Sequence, residues 1–401
     1  MHSNEEEYVI DPTRYRMRRL DTEEELSWRE YCANYRSGKG DISEIWEVVY
    51  DYEQLVNQFG NAIFDQKGPG IFRFWPLLPY SKSETACSLH EGDTPLVKAR
   101  HYGSGLNLYL KNESVNPTGS FKDRYDGLSV NVALTMGFDK LVCASTGNHA
   151  LSVAAYASVA GMECLSIVAD SASDQVLATL RTYGAEVRVV SPQSRFAILA
   201  EEAMAGAYPV GLFMPGPTTN PFGVEGYKTI AYEVVEQLGC VPDAVIFPCA
   251  RGNGLYGAWK GFRELNQLGV VESTPRMYAC QPSVAASLVL AYESRQDSPA
   301  IVDPGKTIAD AISEDVSSQQ ALDAIRQSKG AAVAVGEDEI YKAVFQLGRE
   351  GVFSEPSSAI VLSGIKQLLD VGLLMPQETV VAVVTSSGFK SGTQVLERIL
   401  A

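Results

Sequence analysis

From about residue 105 onward the chain alternates short, β-rich apolar runs with stretches of helical spacing, and nothing else in the sequence restricts its fold as strongly. The runs are LNLYLKN, KLVCA, ECLSIVA, EVRVV, DAVIFP, RMYACQ and TVVAVVT. Each is short for a helix, most carry β-branched residues, and Gly, Ser, Pro or Asn follow most of them before a helical pattern begins. Alternation of this kind builds an α/β fold, a doubly wound parallel sheet with helices on both faces. In such sheets ligands bind where strands end and helices start, so the informative residues belong to the strand-to-helix turns. Residues 1 to about 85 follow another pattern: they are rich in charge, Tyr and Trp and read as an N-terminal extension of short elements. Within it the aromatic, proline-broken strip IFRFWPLLP reads as docked on the main body.

At 401 residues the chain exceeds one minimal domain, so two or more structural units are expected. A net charge of -16 disfavours nucleic acid and anionic membranes as partners, while leaving room for a small anion held by backbone N–H groups. The acidic N-terminus has no apolar core of a signal peptide, and no apolar run approaches a membrane span. Seven cysteines without a C-x-x-C pair, and four histidines without metal spacing, argue against a disulfide framework and against a metal site. A cytoplasmic enzyme acting on a small molecule is the expectation.

Four turns carry the polar chemistry. Asn116-Pro117-Thr118-Gly119-Ser120-Phe121-Lys122 hands a lysine to a helix start, where the positive end of the helix dipole disfavours an ammonium. That suits a reactive amine, although taken alone a lysine there is equally a solvated surface residue. Ser145-Thr146-Gly147-Asn148-His149 follows KLVCA and forms either a cradle for a carboxylate or phosphate or an ordinary helix cap. His149 reads as an acid–base group or, more simply, as an orienting residue. Cys249-Ala250-Arg251-Gly252-Asn253-Gly254 allows close backbone approach to a phosphate, without the pattern of a nucleotide-hydrolysing or dinucleotide-binding loop. Thr385-Ser386-Ser387-Gly388-Phe389-Lys390 places hydroxyls at a strand end.

Taken in order, Glu91-Gly92-Asp93-Thr94-Pro95-Leu96, NPTGSFKDR, STGNHA, the Gly-rich loop before WKGF, EPSSA and TSSGFK resemble the pyridoxal-phosphate enzymes of fold type II, in the threonine synthase branch, from about Ser43 to the C-terminus. The resemblance implies two doubly wound parallel-sheet domains with the cofactor cleft between them, preceded by the extension. Residues 86–130 and 225–401 would form the large cofactor-binding domain and residues 131–224 the small one. It implies pyridoxal 5'-phosphate carried by Lys122 as a Schiff base, with Lys122 then acting as base at the substrate Cα. Asn148 would bond the cofactor's phenolic oxygen, and Ala250, Arg251, Gly252, Asn253 and Gly254 its phosphate. Thr385 would meet the pyridine nitrogen, and Glu355 would lie nearby. Ser145, Thr146, Gly147 and His149 would hold the substrate carboxylate. A homodimer is a further implication.

The reaction implied is elimination or replacement at Cβ or Cγ of an amino acid, with O-phosphohomoserine to threonine plus phosphate as the leading substrate. The alternative is a relative that deaminates Ser or Thr, or replaces a β-substituent, on a non-phosphorylated amino acid. Three departures support it. STGNHALS stands where threonine synthases read STGNTSAS, and TSSGFK stands for TGHGLK. Ser313-Glu314-Asp315 occupies a stretch where an arginine is usual, and it predicts a cleft unfavourable to a distal phosphate dianion.

Overall fold

The computed structural model describes residues 15–36, 44–80, 87–102, 105–213 and 218–390. In chain order its strands are β1 (Tyr15–Arg19), β2 (Glu25–Ser27), β3 (Trp46–Tyr50), β4 (Leu96–Lys98), β5 (Asn107–Asn112), β6 (Lys140–Ala144), β7 (Glu163–Ala169), β8 (Glu186–Val190), β9 (Tyr208–Pro209), β10 (Leu212–Phe213), β11 (Thr218–Thr219), β12 (Ala244–Pro248), β13 (Arg276–Pro282), β14 (Ala331–Val335) and β15 (Thr379–Val384). The chain divides into two compact units. One takes the described residues up to Glu91, Arg124–Ala172 and Leu177–Gly226; the other takes Gly92–Asp123, Ser173–Val176 and the described residues from Tyr227 onward.

The second unit holds a six-stranded sheet in the order β14-β13-β12-β15-β5-β4. Its strands pair in parallel except at the edge, where β4 runs antiparallel to β5. β12 is buried along its whole length and β15 in all but its first residue, which is why their sequences are unbroken apolar runs rather than alternating ones. Helix Pro356–Asp370 lays Ile360, Val361, Leu362, Ile365 and Leu368 into the same core as Leu108, Ile246, Val380 and Val384. Proline at its first position suits a site whose N–H has no intrahelical acceptor.

The first unit holds the all-parallel sheet β8-β7-β6-β9, packed with Leu199 and Ala207, and the antiparallel sheet β2-β1-β3. β3 alternates buried and half-buried residues, as a strand with one covered face should. Segment Gly70–Leu77 is a 3₁₀ stretch rather than an extended strip, and Ile71, Phe72, Phe74, Pro76 and Leu77 are buried in it. Among the described residues no helix is long and apolar enough to cross a membrane.

Glu91 ends this unit's first segment with its carboxyl fully buried. Its Oε2 accepts from Tyr156 Oη at 2.8 Å, Ser88 Oγ at 3.0 Å and Leu89 N at 3.1 Å, while Oε1 meets no donor among the described residues. Burial pushes the carboxyl up to about 7. The folded state therefore binds this proton more tightly than the unfolded chain. The resulting stability is full below the ordinary carboxylate pKa and is lost as pH rises through about 7. Glu91→Gln keeps an acceptor for Tyr156 and cannot ionise. Relative to the wild type, its unfolding free energy should rise by on the order of 3 kcal/mol between about pH 5 and about pH 8. Denaturant titrations at the two pH values measure this, and a pH-independent difference would refute it.

Candidate active site

The turn before Lys122 is fixed by a buried polar network within the six-stranded unit. Lys111, in the middle of β5, is fully buried. Its Nζ donates to Glu233 Oε2 at 2.7 Å, to the Thr94 carbonyl at 2.7 Å and to Gln237 Oε1 at 3.0 Å. Glu233 Oε1 accepts from Asp93 N at 2.9 Å, and Thr94 Oγ1 donates to Glu113 Oε1 at 2.6 Å. Asn116 completes the chain, donating to Glu113 Oε2 and accepting from Gly92 N, each at 2.9 Å. A buried ion pair is tolerable only when its remaining polar atoms are satisfied in this way. The network ties the segment Gly92-Asp93-Thr94 to the start of the lysine turn.

Asp123 then closes the turn, accepting from Thr118 N at 2.6 Å and Thr118 Oγ1 at 2.5 Å. Lys122 is the first residue of helix Lys122–Thr135, as the turn chemistry predicts. Its Nζ lies 4.6 Å from the centre of the Phe121 ring, which stacks on Tyr227 at 4.8 Å. Phe121 N donates to the Thr385 carbonyl at 2.9 Å, so the fourth turn is bonded to the first.

The Gly-rich loop is oriented by its carbonyls. Cys249 O accepts from Gln281 Nε2 at 3.3 Å, Ala250 O from Ser317 Oγ at 2.7 Å, and Arg251 O from Ser318 N at 2.9 Å. The three successive carbonyls are all bonded, and the N–H groups of Ala250, Arg251 and Gly252 have no acceptor among the described residues. Gly252 has φ +86°, and helix Asn253–Gln267 begins directly after it, adding first-turn N–H groups. This is a cradle for an anion. Space there is tight: a Cβ at Gly254 would come within 2.6 Å of the Phe121 ring.

Arg251 is buried and does not point to solvent. It pairs with Glu314 at 3.1 Å and Asp315 at 3.2 Å. One guanidinium cancels one of the two negative charges, and the other remains beside the loop.

Thr385 is buried, with Oγ1 2.8 Å from Ser358 Oγ, and Ser358 Oγ accepts from Ser386 N at 2.8 Å. Either hydroxyl can donate in this pair; with Ser358 as the donor, the Thr385 hydroxyl hydrogen is left for a further acceptor. Ser358, from the EPSSA segment, is a residue that sequence reasoning passed over. Glu355 is buried at the N-cap of the same helix, Pro356–Asp370.

In the four-stranded unit, Ser145, Thr146 and Gly147 link β6 to helix Asn148–Ala160, whose first residues are Asn148 and His149. Thr146 Oγ1 accepts from Ala169 N at 3.3 Å and from Arg195 Nη1 at 3.1 Å, and Ser145 Oγ accepts from Gly147 N at 3.4 Å. Arg195 is a cation at this loop that no sequence motif marked; it lies 49 residues from Thr146. His149 has both nitrogens engaged, Nδ1 3.1 Å from Asp126 Oδ2 and Nε2 3.2 Å from the Val210 carbonyl. Both contacts hold the ring in place. The geometry supports the orienting reading of this residue.

Residues 87–386 match the family model of the pyridoxal-phosphate dependent enzymes, and the chain belongs to that family. It is a pyridoxal-phosphate-dependent lyase of fold type II. Its curated relatives include the threonine synthase of Methanocaldococcus jannaschii, 36% identical over 352 residues and covering 86% of each chain. The threonine synthase of Mycobacterium tuberculosis is 35% identical over 332 residues, covering 81% of this chain and 89% of its own. Among solved structures, a fungal L-serine ammonia-lyase from Rhizomucor miehei aligns with a TM-score of 0.65 at 21% identity, covering 76% of this chain and 96% of its own. A threonine deaminase from Solanum lycopersicum aligns with a TM-score of 0.64 at 21% identity, covering 76% and 86%. Likeness at that identity shows the fold alone. The donor set in this chain fits the cofactor in kind: a helix-start amine, a backbone cradle for a phosphate and a buried hydroxyl.

Proposed function

We propose that the protein converts O-phosphohomoserine to threonine and phosphate. The observation that carries this reading is the match to threonine synthases at 31–36% identity over most of both chains. The guanidinium of Arg195 at Thr146 supports it.

In this reading Lys122 holds the cofactor, Ala250–Gly254 take its phosphate, Asn148 its phenolic oxygen and Thr385 its ring nitrogen. When bound, pyridoxal phosphate supplies the electron sink that stabilises negative charge at the substrate Cα. Lys122 Nζ moves the Cα proton. Ser145, Thr146 and the N–H groups of the following helix turn hold the substrate carboxylate, with His149 fixing that turn. A hydroxyl partner at the ring nitrogen does not enforce a positive charge there, which favours elimination and replacement over transamination. The protein acts in amino-acid biosynthesis, in the cytoplasm, as a homodimer. The cofactor-binding domain is the unit of Gly92–Asp123 and the described residues from Tyr227 onward.

The test is steady-state turnover of O-phosphohomoserine with phosphate and threonine both measured. A kcat/KM of roughly 10⁴ M⁻¹s⁻¹ or more is expected. Ammonia and 2-oxo acid from Ser or Thr, with no phosphate release, would replace this reading by the deaminase alternative. Ser358→Ala should lower kcat about tenfold with little change in KM, because it removes the hydrogen-bond partner that orients the Thr385 hydroxyl. Unchanged kcat would show that Ser358 does not act through Thr385.

A further inference from the structure

Buried polar atoms of a folded chain are nearly always hydrogen-bonded, so one without a partner marks a place that calls for an explanation. In the six-stranded unit three buried side-chain atoms have no hydrogen-bond partner among the described residues: Ser120 Oγ, Arg251 Nε and Arg276 Nη2. Arg276 Nη2 is compensated by charge, since it lies 2.6 Å from Glu378 Oε1. The other two stand in turns that carry the cofactor in the reading above. Arg251 belongs to the Gly-rich loop, and Ser120 precedes Lys122 by two residues.

Ser120 is fully buried, and the backbone around it is fixed. It pairs with Ser386 in an antiparallel bridge, and Ser386 follows Thr385 directly. Its carbonyl accepts from Asp123 N at 3.3 Å. On one side Gly119 O accepts from Ser387 N at 2.9 Å, and on the other Phe121 N donates to Thr385 O at 2.9 Å. The Phe121 ring abuts the Gly-rich loop, where a Cβ added at Gly254 would stand 2.6 Å from it. Ser120 therefore belongs to the junction of the lysine turn with the Thr385 turn, one residue from the contact with the Gly-rich loop. None of these bonds uses its hydroxyl. Alanine would fill nearly the same space and leave no polar atom unpaired.

We propose that Ser120 is a cofactor-binding residue: its hydroxyl hydrogen-bonds the pyridoxal phosphate carried by Lys122. This deepens the functional reading and rests on it, since it takes Lys122 as the attachment point. Phosphate and phenolic oxygens are acceptors, and a serine hydroxyl is a donor that can rotate to meet either. In the cofactor-free chain the same hydroxyl is a buried group without a partner, which costs stability. Removing it should move stability and cofactor affinity in opposite senses, which a hydroxyl needed by the fold itself would not do.

The experiment uses the full chain freed of cofactor, as wild type and as Ser120→Ala. Thermal midpoints are recorded for both, and pyridoxal 5'-phosphate is titrated into each while the absorbance of the bound cofactor is followed. Ser120→Ala should bind the cofactor about tenfold more weakly, the loss of one hydrogen bond. Its cofactor-free midpoint should stand at or above that of the wild type. Equal affinities overturn the proposal. It also falls if the cofactor-free midpoint drops together with the affinity, because the hydroxyl then serves the fold. Borohydride reduction of the wild-type holoenzyme with peptide mapping judges the underlying reading separately: cofactor found on a lysine other than Lys122 defeats that reading, whatever Ser120→Ala shows.

Discussion

Lys122→Ala protein should retain no borohydride-trappable cofactor and should exchange the substrate Cα proton at least about 10⁴-fold more slowly, the upper range for loss of a positioned base. The expectation rests on where the chain places its amines. Lys122 opens its helix behind a turn held by Asp123 and by the buried chain from Lys111 through Glu113 to Asn116. Lys390 does not substitute for it, because its Nζ is held by the Thr118 carbonyl and its stem by the backbone below. Lys111 and Lys228 are fully buried in ion pairs with Glu233 and Glu264. An active Lys122→Ala enzyme with covalently trapped cofactor would place the reactive amine elsewhere and remove the basis of the functional reading.

The parallel strands were legible wherever burial on both faces made the sequence continuously apolar. KLVCA and ECLSIVA coincide with β6 and β7 residue for residue; EVRVV coincides with β8, an edge strand with no buried residue, through its valines. β14 was not read, because AAVAV is short and alanine-rich, and it becomes a strand only by pairing with β13. The antiparallel sheet of β1, β2 and β3 escaped for a similar reason, since three short segments stabilise one another across long separations.

The polar turns were legible because Gly, Ser, Thr and Asn at strand ends have few other uses. What they bond to was not. Ser358 meets Thr385 from 27 residues away, and Arg251 meets Glu314 from 63. That second contact adds a cation the motif did not show: the two acids share one guanidinium beside the Gly-rich loop. Charge patterns in sequence give sign and number, whereas pairing depends on tertiary geometry.

Gly252→Val should weaken cofactor affinity about 100-fold or more, and its effect on binding should exceed its effect on stability. The residue stands at φ +86°, where an L side chain costs about 1–2 kcal/mol. A Cβ there would also lie 2.3 Å from Ala321 Cβ, on helix Gln319–Gln327. Helix and loop cannot simply separate. Ser318, the cap of that helix, donates its N–H to Arg251 O, and Ser317 donates to Ala250 O. Relief of the clash must therefore turn the peptide planes whose carbonyls are clamped, and the N–H groups of Ala250, Arg251 and Gly252 lose their common direction. Gly372→Val is the control: it has φ +71° in the same unit with nothing within 4 Å of the added Cβ, so it carries the backbone cost without the collision. Titration of cofactor into both variants, beside their thermal midpoints, separates the two effects. The expected result is a lowered midpoint in both and a loss of affinity in Gly252→Val alone. Equal affinities in the two variants would mean that the phosphate is held by another part of the chain.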